Sequence, residues 1–284
     1  MADAKLEFIG ANGSVIDLFH NDYYQVSNID GLTSATAEIT STVTPGLDGD
    51  TINSATVQPR SIILDLRVRN GVRVEDAKRW LMYTVKPKLS GRLRLTQPDR
   101  TTEISGIVES IEMPRFYYGV TCQVTLHCSQ PYWHDAEYLV LEISHILDLH
   151  YFPVDDGGLA FPADGVAFGE YNLNNAKSYF NAGDAETGAI ITIVALGNVT
   201  NPIIYNGDGK YIGVIDSMVE GDVIEINTNR GEKSIKKNGV SIFSKMKSGS
   251  TFLQLAVGNN SFVVDADSGE DAMYFMLTFK RRFV

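Results

Sequence analysis

Within the segment Gly119–Trp133, apolar and polar residues alternate strictly from Val120 to Cys128, and the first half of the chain is organised around this pattern. The apolar positions are Val120, Cys122, Val124, Leu126 and Cys128, with Thr121, Gln123, Thr125 and His127 between them. A period of two predicts a β-strand that buries one face and exposes the other. Pro131 ends the strand, because proline has no backbone N–H to donate to a sheet ladder.

The remainder of the first half has the pattern of short strands around a single helix. Apolar residues recur at spacings of three and four from Val74 to Thr84, which predicts a helix over Glu75–Val85. Lys86 and Pro87 end this helix, since proline cannot continue it. The predicted strands are Leu6–Ile9, Val15–Phe19, Tyr23–Ile29, Arg60–Arg69, Gly91–Leu95 and Glu103–Glu112.

The segment Thr33–Pro59 is β-prone but holds few side chains large enough to build a core. Two runs, Thr33–Thr44 and Thr51–Pro59, flank a turn over Pro45–Asp50, so we expect a long β-hairpin. Two interpretations of this hairpin remain open from the residues alone. It is either a loose surface loop or an arm that gains its stability from a neighbouring subunit.

The segment His145–Asn175 mixes aromatic residues, proline and glycine irregularly, which is typical of a linker that packs against other parts of the chain. We therefore predict an N-terminal domain over residues 1–145, a linker over 146–172 and a C-terminal domain over 173–284. The two halves do not repeat one another.

The C-terminal half alternates short strands with turns, at the spacing expected of an antiparallel β-sandwich. The predicted strands are Ala189–Ala195, Ile203–Tyr205, Lys210–Val214, Val223–Asn227, Lys233–Lys236, Phe252–Val257, Ser261–Asp265 and Met273–Arg281. With the strands and the one helix of the first half, these elements predict a mainly β protein.

Cys122 and Cys128 are the two cysteines among the 284 residues. Six residues apart on one strand, they are separated by roughly 20 Å at about 3.3 Å per residue, too far for a disulfide. We expect free core thiols in a protein made in a reducing compartment. The alternative, a reactive thiol, lacks the nearby cations that would lower its pKa. No long apolar run predicts a membrane span or a secretion signal.

The charge is unevenly distributed along a chain whose formal net charge is −11. Between Arg60 and Arg115 there are twelve Lys and Arg residues against seven Asp and Glu residues. This basic band is either a solvated face or a docking surface for an acidic partner, for which we single out Arg67, Arg69 and Arg73. Without aromatic interleaving, it does not predict sequence-specific nucleic-acid binding.

Motifs that would indicate catalysis are missing, so we predict no enzyme, no cofactor and no metal. The chain has no glycine-rich phosphate loop, no His-Glu-x-x-His and no Gly-x-Ser-x-Gly. Two weak metal-site alternatives exist. His134, His145 and His150 lie near acidic residues, but no helix would align them. Asp265–Gly269 begins like a calcium loop but lacks the closing glutamate, so a turn is favoured.

Several different short motifs occur along the chain, and their order points to a known family. The first half contributes Pro45-Gly46 with Gly49, Pro59-Arg60, Lys86-Pro87 before Gly91-x-Leu93, and Cys128-Ser129-Gln130-Pro131-Tyr132-Trp133. The second half contributes Gly183-Asp184 with Gly188, Asn201-Pro202-x-Ile204, Gly221-Asp222-x-Ile224-x-Ile226-Asn227-Thr228, Gly231-x-Lys233, Asn238-Gly239, Gly249-Ser250-x-Phe252-x-x-Leu255 and Gly258-Asn259-Asn260. In this order the motifs resemble the distal tail proteins of bacteriophages and of related tail-like particles.

The resemblance implies a fold and a structural role. It implies an N-terminal β-sandwich with one helix and a protruding hairpin, followed by a galectin-like jelly-roll β-sandwich. Six copies would form a ring that joins the tail tube protein to the central hub or tip protein. Receptor-binding or fibre proteins would attach outside, in a virion tail assembled in the bacterial cytoplasm. The residues expected at the ring interface are Thr36, Glu38, Thr40, Pro45, Gly46, Gly49 and Pro59.

A jelly roll also raises the alternative of a carbohydrate-binding adhesin module. Galectins use a His-x-Asn-x-Arg strand and a stacking tryptophan, and neither is present after residue 150, since the tryptophans are Trp80 and Trp133. The ring component is therefore the leading hypothesis, the adhesin is the second, and a β-sandwich hydrolase is a weaker third.

Overall fold

The computed structural model describes residues 4–33, 35–46, 48–113, 121–142, 145–148, 169–172 and 176–284. The chain divides into two compact units. Unit 1 comprises Met1–Ala136 and Arg282–Val284, and unit 2 comprises Glu137–Arg281. The predicted linker lies mostly outside the described residues, so the predicted domain limits stay a prediction.

The strands are short and the described part of the chain holds one α-helix. Up to residue 136 the elements are β1 (Lys5–Gly10), β2 (Val15–Asp17), β3 (Tyr24–Asp30), β4 (Ala37–Thr42), β5 (Thr51–Val57), β6 (Arg60–Val68), α1 (Val74–Thr84), β7 (Ser90–Thr96), β8 (Thr101–Glu112), β9 (Thr121–Cys128) and β10 (Trp133–Asp135). They continue with β11 (Leu139–Glu142), β12 (His145–Asp148), β13 (Gly169–Asn172), β14 (Ala176–Asn181), β15 (Ala189–Ala195), β16 (Val199–Thr200), β17 (Ile203–Asn206), β18 (Tyr211–Gly213), β19 (Ser217–Met218), β20 (Val223–Asn227), β21 (Ser234–Lys237), β22 (Val240–Ser241), β23 (Gly258–Asp265), β24 (Met273–Phe279) and β25 (Arg282–Phe283). The mainly β fold class is confirmed.

Unit 1 is built on one antiparallel sheet whose strands run in the order β2-β1-β7-β8-β9-β6-β3. β10 extends it by pairing with both β8 and β25. The alternating strand is β9, placed between β8 and β6, with Cys122, Val124, Leu126 and Cys128 buried. Helix α1 packs on the same buried face through Ala77 and Leu81. A single hydrophobic core therefore lies between helix and sheet.

Unit 2 is a sandwich of two antiparallel sheets. One has the strand order β11-β24-β15-β20-β21-β22 and the other β14-β23-β17-β18. β15 alternates buried and half-buried residues along its whole length, as the sequence predicts. Ile191 and Phe275 of the first sheet share one core with Ile204 and Phe262 of the second. The predicted β-sandwich is confirmed.

Several predicted strands differ from the structure by a few residues, and two of the differences have a clear local cause. Phe252–Val257 does not form a strand, because Leu255 makes one isolated bridge, with Thr187, and the Asn260 side chain takes the backbone groups of Ala256. β2 ends at Asp17, two residues before the predicted end. The Asp17 carboxylate accepts the backbone N–H groups of the next residues, Phe19 and His20, which turns the chain.

Both cysteine thiols are free and buried on β9. Burial raises the pKa of the Cys122 thiol to about 12 and that of the Cys128 thiol to about 11, because the charged thiolate loses its hydration. Neither thiol is therefore a nucleophile near neutral pH.

We expect the free energy of unfolding to fall as the pH rises from about 9 to 11. The unfolded thiols ionise near their ordinary pKa of about 8.5 whereas the folded ones stay protonated, and each contributes at most about 1.4 kcal/mol per pH unit. Urea unfolding of the wild type and of Cys122→Ala at pH 8 and pH 10 measures this. The free energy of unfolding of the variant should change less between pH 8 and pH 10 than that of the wild type. An equal change in the two proteins would contradict the raised pKa of the Cys122 thiol.

Candidate oligomerisation arm

The predicted hairpin is present, and it forms a separate two-stranded sheet that is not paired with the larger sheets of unit 1 or unit 2. β4 and β5 pair only with each other, and all thirteen of their residues are exposed. The backbone N–H of Gln58 donates to the Thr36 carbonyl and closes the base of the hairpin. We call the described residues 36–46 and 48–58 the arm.

A single carbonyl group fixes the base of the arm to unit 1. The Leu32 oxygen accepts hydrogen bonds from Arg60 Nη1 at 3.0 Å and from Trp133 Nε1 at 3.2 Å. Gly31, just before it, has a φ of +81°, and an added Cβ would lie 2.2 Å from the Ser61 carbonyl oxygen. Only glycine fits there, so the direction in which the chain leaves β3 is tightly constrained.

Arg60 is buried at the first position of β6, with 4% of its surface exposed. Its guanidinium also donates to the Gly31 carbonyl at 3.3 Å. Burial lowers the pKa of Arg60, because the charged guanidinium loses hydration, and the nearby Cys128 opposes this shift. Only Nη1 of the guanidinium is held by backbone oxygens, since Nε and Nη2 are buried without a hydrogen-bond partner among the described residues. Removing these acceptors from a buried cation would be costly.

The arm is amphipathic, although the sequence alone does not show it. Thr40 pairs with Ser54 and Ser41 with Ile52, so Asn53 is an extra residue that forms a β-bulge. The bulge shifts the alternation of β5 by one residue. One face of the arm consequently carries Ala37, Ile39, Ser41, Ile52, Ala55 and Val57, and the other carries Glu38, Thr40, Thr42, Thr51, Ser54 and Thr56.

The apolar face of the arm is open to solvent. Ile39 is 60% exposed and Ile52 is 63% exposed, and Val43, which follows β4, is 71% exposed. A two-stranded hairpin is marginally stable at best in water unless a hydrophobic face is covered. Within the described part of the chain nothing covers this one, so the arm has the character of a surface that is completed by another molecule.

The interface residues predicted from the resemblance all lie on or beside the arm. Glu38 and Thr40 are on its polar face, where the Glu38 carboxylate accepts a bond from Gln58 Nε2 at 2.8 Å. Gly46 and Gly49 both have positive φ with open space around them, so they shape the tip. Thr36 and Pro59 flank the base. Ile39 and Ile52 could not be predicted as interface residues from the sequence, because the bulge hides their common face.

The three arginines singled out from the basic band have different environments. Arg67, on β6, and Arg73, just before α1, are exposed. The Arg69 guanidinium instead donates from Nε to the carbonyls of Asn21 at 2.7 Å and Tyr24 at 3.1 Å. Arg69 therefore holds two backbone segments together, whereas the other two arginines are accessible to a partner.

The structure adds little to the metal-site alternatives. Among the described residues no group of three or more His, Cys, Asp or Glu side chains is placed to hold a metal ion. His150 lies outside the described residues. Asp265 accepts the N–H of Ala266, and Asp267 accepts a hydrogen bond from Asn201, so both carboxylates have hydrogen-bond partners within the protein. No described helix has the length and hydropathy to cross a membrane.

Comparisons with known proteins agree with this architecture. Residues 182–283 match the family model of the siphovirus-type tail component, C-terminal domain. Over the whole chain, the fold is similar to that of SPP1 Dit (gp 19.1), described as a paradigm of the hub adsorption apparatus in phages that infect Gram-positive bacteria. The TM-score is 0.68 and the identity 15%, covering 98% of this chain and 99% of that one.

Two further structures, of the phage P2 baseplate in its activated conformation, also match. The calcium form has a TM-score of 0.51 at 12% identity, covering 99% of this chain and 100% of that one. The strontium form has a TM-score of 0.50 at 12% identity, with complete coverage of both chains. Among curated proteins, none matches this chain.

Residues 182–283 therefore carry the signature of a siphovirus-type tail component domain, and the chain as a whole shares the fold of the SPP1 Dit structure. The resemblance that the sequence predicts is confirmed, by a family signature in residues 182–283 and by the fold over the whole chain.

The substitution Trp133→Phe tests the anchor of the arm. It removes one of the two donors to the Leu32 carbonyl and should reduce the free energy of unfolding by about 1 kcal/mol. The Gln58 amide at the base of the arm should also exchange its hydrogen faster. Tyr132→Phe is the control, since that ring faces Arg282 and is not a donor to Leu32. Unchanged unfolding and exchange in Trp133→Phe would refute the anchor.

Proposed function

We propose that this protein is a non-enzymatic ring component of a phage tail or tail-like particle. Six copies form a closed ring at the distal end of the tail. The ring joins the tail tube to the central hub or tip protein, and unit 2 offers a platform for receptor-binding or fibre proteins. Its place is the virion tail, after assembly in the cytoplasm of the bacterial host.

The single observation that carries the proposal is the uncovered apolar face of the arm. Fully burying an isoleucine or valine side chain gains about 1.5–3 kcal/mol relative to leaving it exposed. Ile39 and Ile52 forgo most of that gain in the free chain and recover it when another surface covers them. The arm thus supplies a driving force for association.

The geometry of such a contact favours a ring. An arm that binds a different surface on the next copy makes a heterologous, head-to-tail interface. Interfaces of this kind close into rings when the rotation between copies allows it. The number six rests on the resemblance to distal tail proteins.

The exposed basic residues support contact with an adjoining ring. Arg67 and Arg73 are accessible, and an oppositely charged surface on the tube or hub protein would be attracted to them. Such attraction speeds docking and sets its orientation more than it adds affinity.

Matched substitutions on the two faces of the arm test the ring. Ile39→Glu with Ile52→Glu places charges on the apolar face and should shift ring assembly to at least tenfold higher protein concentration. Thr40→Glu with Ser54→Glu adds the same charges to the polar face and should have a smaller effect. Size-exclusion chromatography with light scattering measures the mass across a concentration series.

The possible results separate the hypotheses. A ring lost only in the Thr40 and Ser54 variant would move the interface to the polar face predicted from the resemblance. A wild-type monomer at every concentration would refute the ring, and binding of cell-wall sugar by that monomer would favour the adhesin.

Charge reversal tests docking to the adjoining ring. Arg67→Glu with Arg73→Glu should leave the hexamer intact and slow association with the tube or hub protein about tenfold or more at low salt. Arg69 is kept, because its loss would damage the fold. Lys210→Glu with Lys236→Glu, on exposed residues of unit 2, is the control. Biolayer interferometry at two salt concentrations gives the rates, and equal rates for both variants would refute the docking surface.

A further inference from the structure

A groove of about 480 Å³ runs across the outer face of the unit 1 sheet. Its floor is the backbone of Gly10, Gly91 and Gly106, which stand side by side on β1, β7 and β8. The outward-facing residues beside this row are mostly small, and include Ser90 and Ser105. The groove therefore exposes backbone atoms between short side chains.

The glycines are required by the opposite face of the sheet. A Cβ on Gly91 would lie 2.6 Å from the Phe8 ring, and one on Gly106 would lie 2.9 Å from Cys128 Sγ. Both of these neighbours belong to the core of unit 1. The core therefore keeps these positions as glycine on the inner face, while on the outer face the groove is left open by the short side chains of Ser90 and Ser105.

The walls of the groove combine apolar and basic side chains. Ile107 is 51% exposed at one side, and Ile9 lies at the other. Arg92 and His127 also line it. Among the described residues that line the groove there is no Asp or Glu. Beside the groove, Glu103 contacts Arg92 at 3.4 Å and Arg94 at 2.7 Å, and Glu7 on β1 contacts Lys5.

The arm has the complementary character. Between Thr33 and Pro59 there is no Lys or Arg, whereas Glu38, Asp48 and Asp50 are acidic. Its apolar face offers isoleucine and valine side chains to a surface of the same kind. The apolar face of the arm matches the Ile9 and Ile107 walls of the groove in hydrophobicity, and the acidic tip residues Asp48 and Asp50 are opposite in charge to Arg92.

The arm does not occupy the groove of its own chain. In one molecule the arm is exposed on both faces and the groove is open. The hydrogen bonds from Arg60 and Trp133 to the Leu32 carbonyl hold the base of the arm. A second copy of this chain is therefore the source of the arm that fits the groove.

We propose that the groove floored by Gly10, Gly91 and Gly106 receives the apolar face of the arm of the next copy. This inference rests on the proposed ring and names the surface on which each arm lies. The arm leaves the β3 and β6 side of the sheet, whereas the groove spans β1, β7 and β8. Each copy thus presents two different surfaces, as a head-to-tail ring requires.

Disulfide trapping between two singly substituted full-length chains tests the groove. Ile39→Cys, on the apolar face of the arm, is mixed with Ser105→Cys in the groove and oxidised mildly. The native thiols of Cys122 and Cys128 do not interfere, since they are buried. We expect linked dimers on a non-reducing gel, at several-fold higher yield than from Thr40→Cys, on the polar face, mixed with Ser105→Cys.

The alternative results are distinct. Rings with no excess of the Ile39–Ser105 link over the control would overturn the groove and leave the ring standing. Absence of rings would overturn both. A chain carrying both Ile39→Cys and Ser105→Cys that links only within itself would show self-occupation and refute the second copy.

Substitution in the groove gives an independent measurement. Ile107→Asp places a carboxylate where the acidic arm is expected, and should raise the concentration needed for ring assembly at least tenfold. Because Ile107 is half exposed, the fold should tolerate the change, which the unfolding curve verifies. Unaltered assembly by this variant would refute the groove.

Discussion

The carbonyl oxygen of Leu32 is the point on which the functional part of this protein depends. Two side chains distant in sequence, Arg60 and Trp133, donate to it from strands that are themselves embedded in the unit 1 sheet. These hydrogen bonds give the exposed amphipathic hairpin a defined origin on the unit 1 sheet. Without these hydrogen bonds, the exposed strands β4 and β5 would be less restricted in direction. More of the entropic cost of ordering them would then oppose association with another molecule.

The same sheet serves two opposite purposes on its two faces. Its inner face packs against α1 and leaves no room for a Cβ at Gly91 or Gly106. Its outer face carries the groove, which short outward-facing side chains such as Ser90 and Ser105 leave open. A site of this kind contains no motif that a sequence search would find.

Much of the fold could be predicted from the sequence, because burial imposes a period on each element. β9, β15 and α1 have regular patterns and lie where the pattern predicts. The apolar face of the arm could not be predicted, because the bulge at Asn53 breaks the period that would reveal it. The structural role of Arg69 could not be predicted either, because the sequence does not show that its guanidinium donates hydrogen bonds to the carbonyls of Asn21 and Tyr24.

In the sequence, unit 2 lies between two strands of unit 1. Trp133 of β10 pairs with Phe283 of β25, so the last strand belongs to unit 1 and unit 2 is inserted between β10 and β25. Two covalent connections therefore share any mechanical load applied to unit 2.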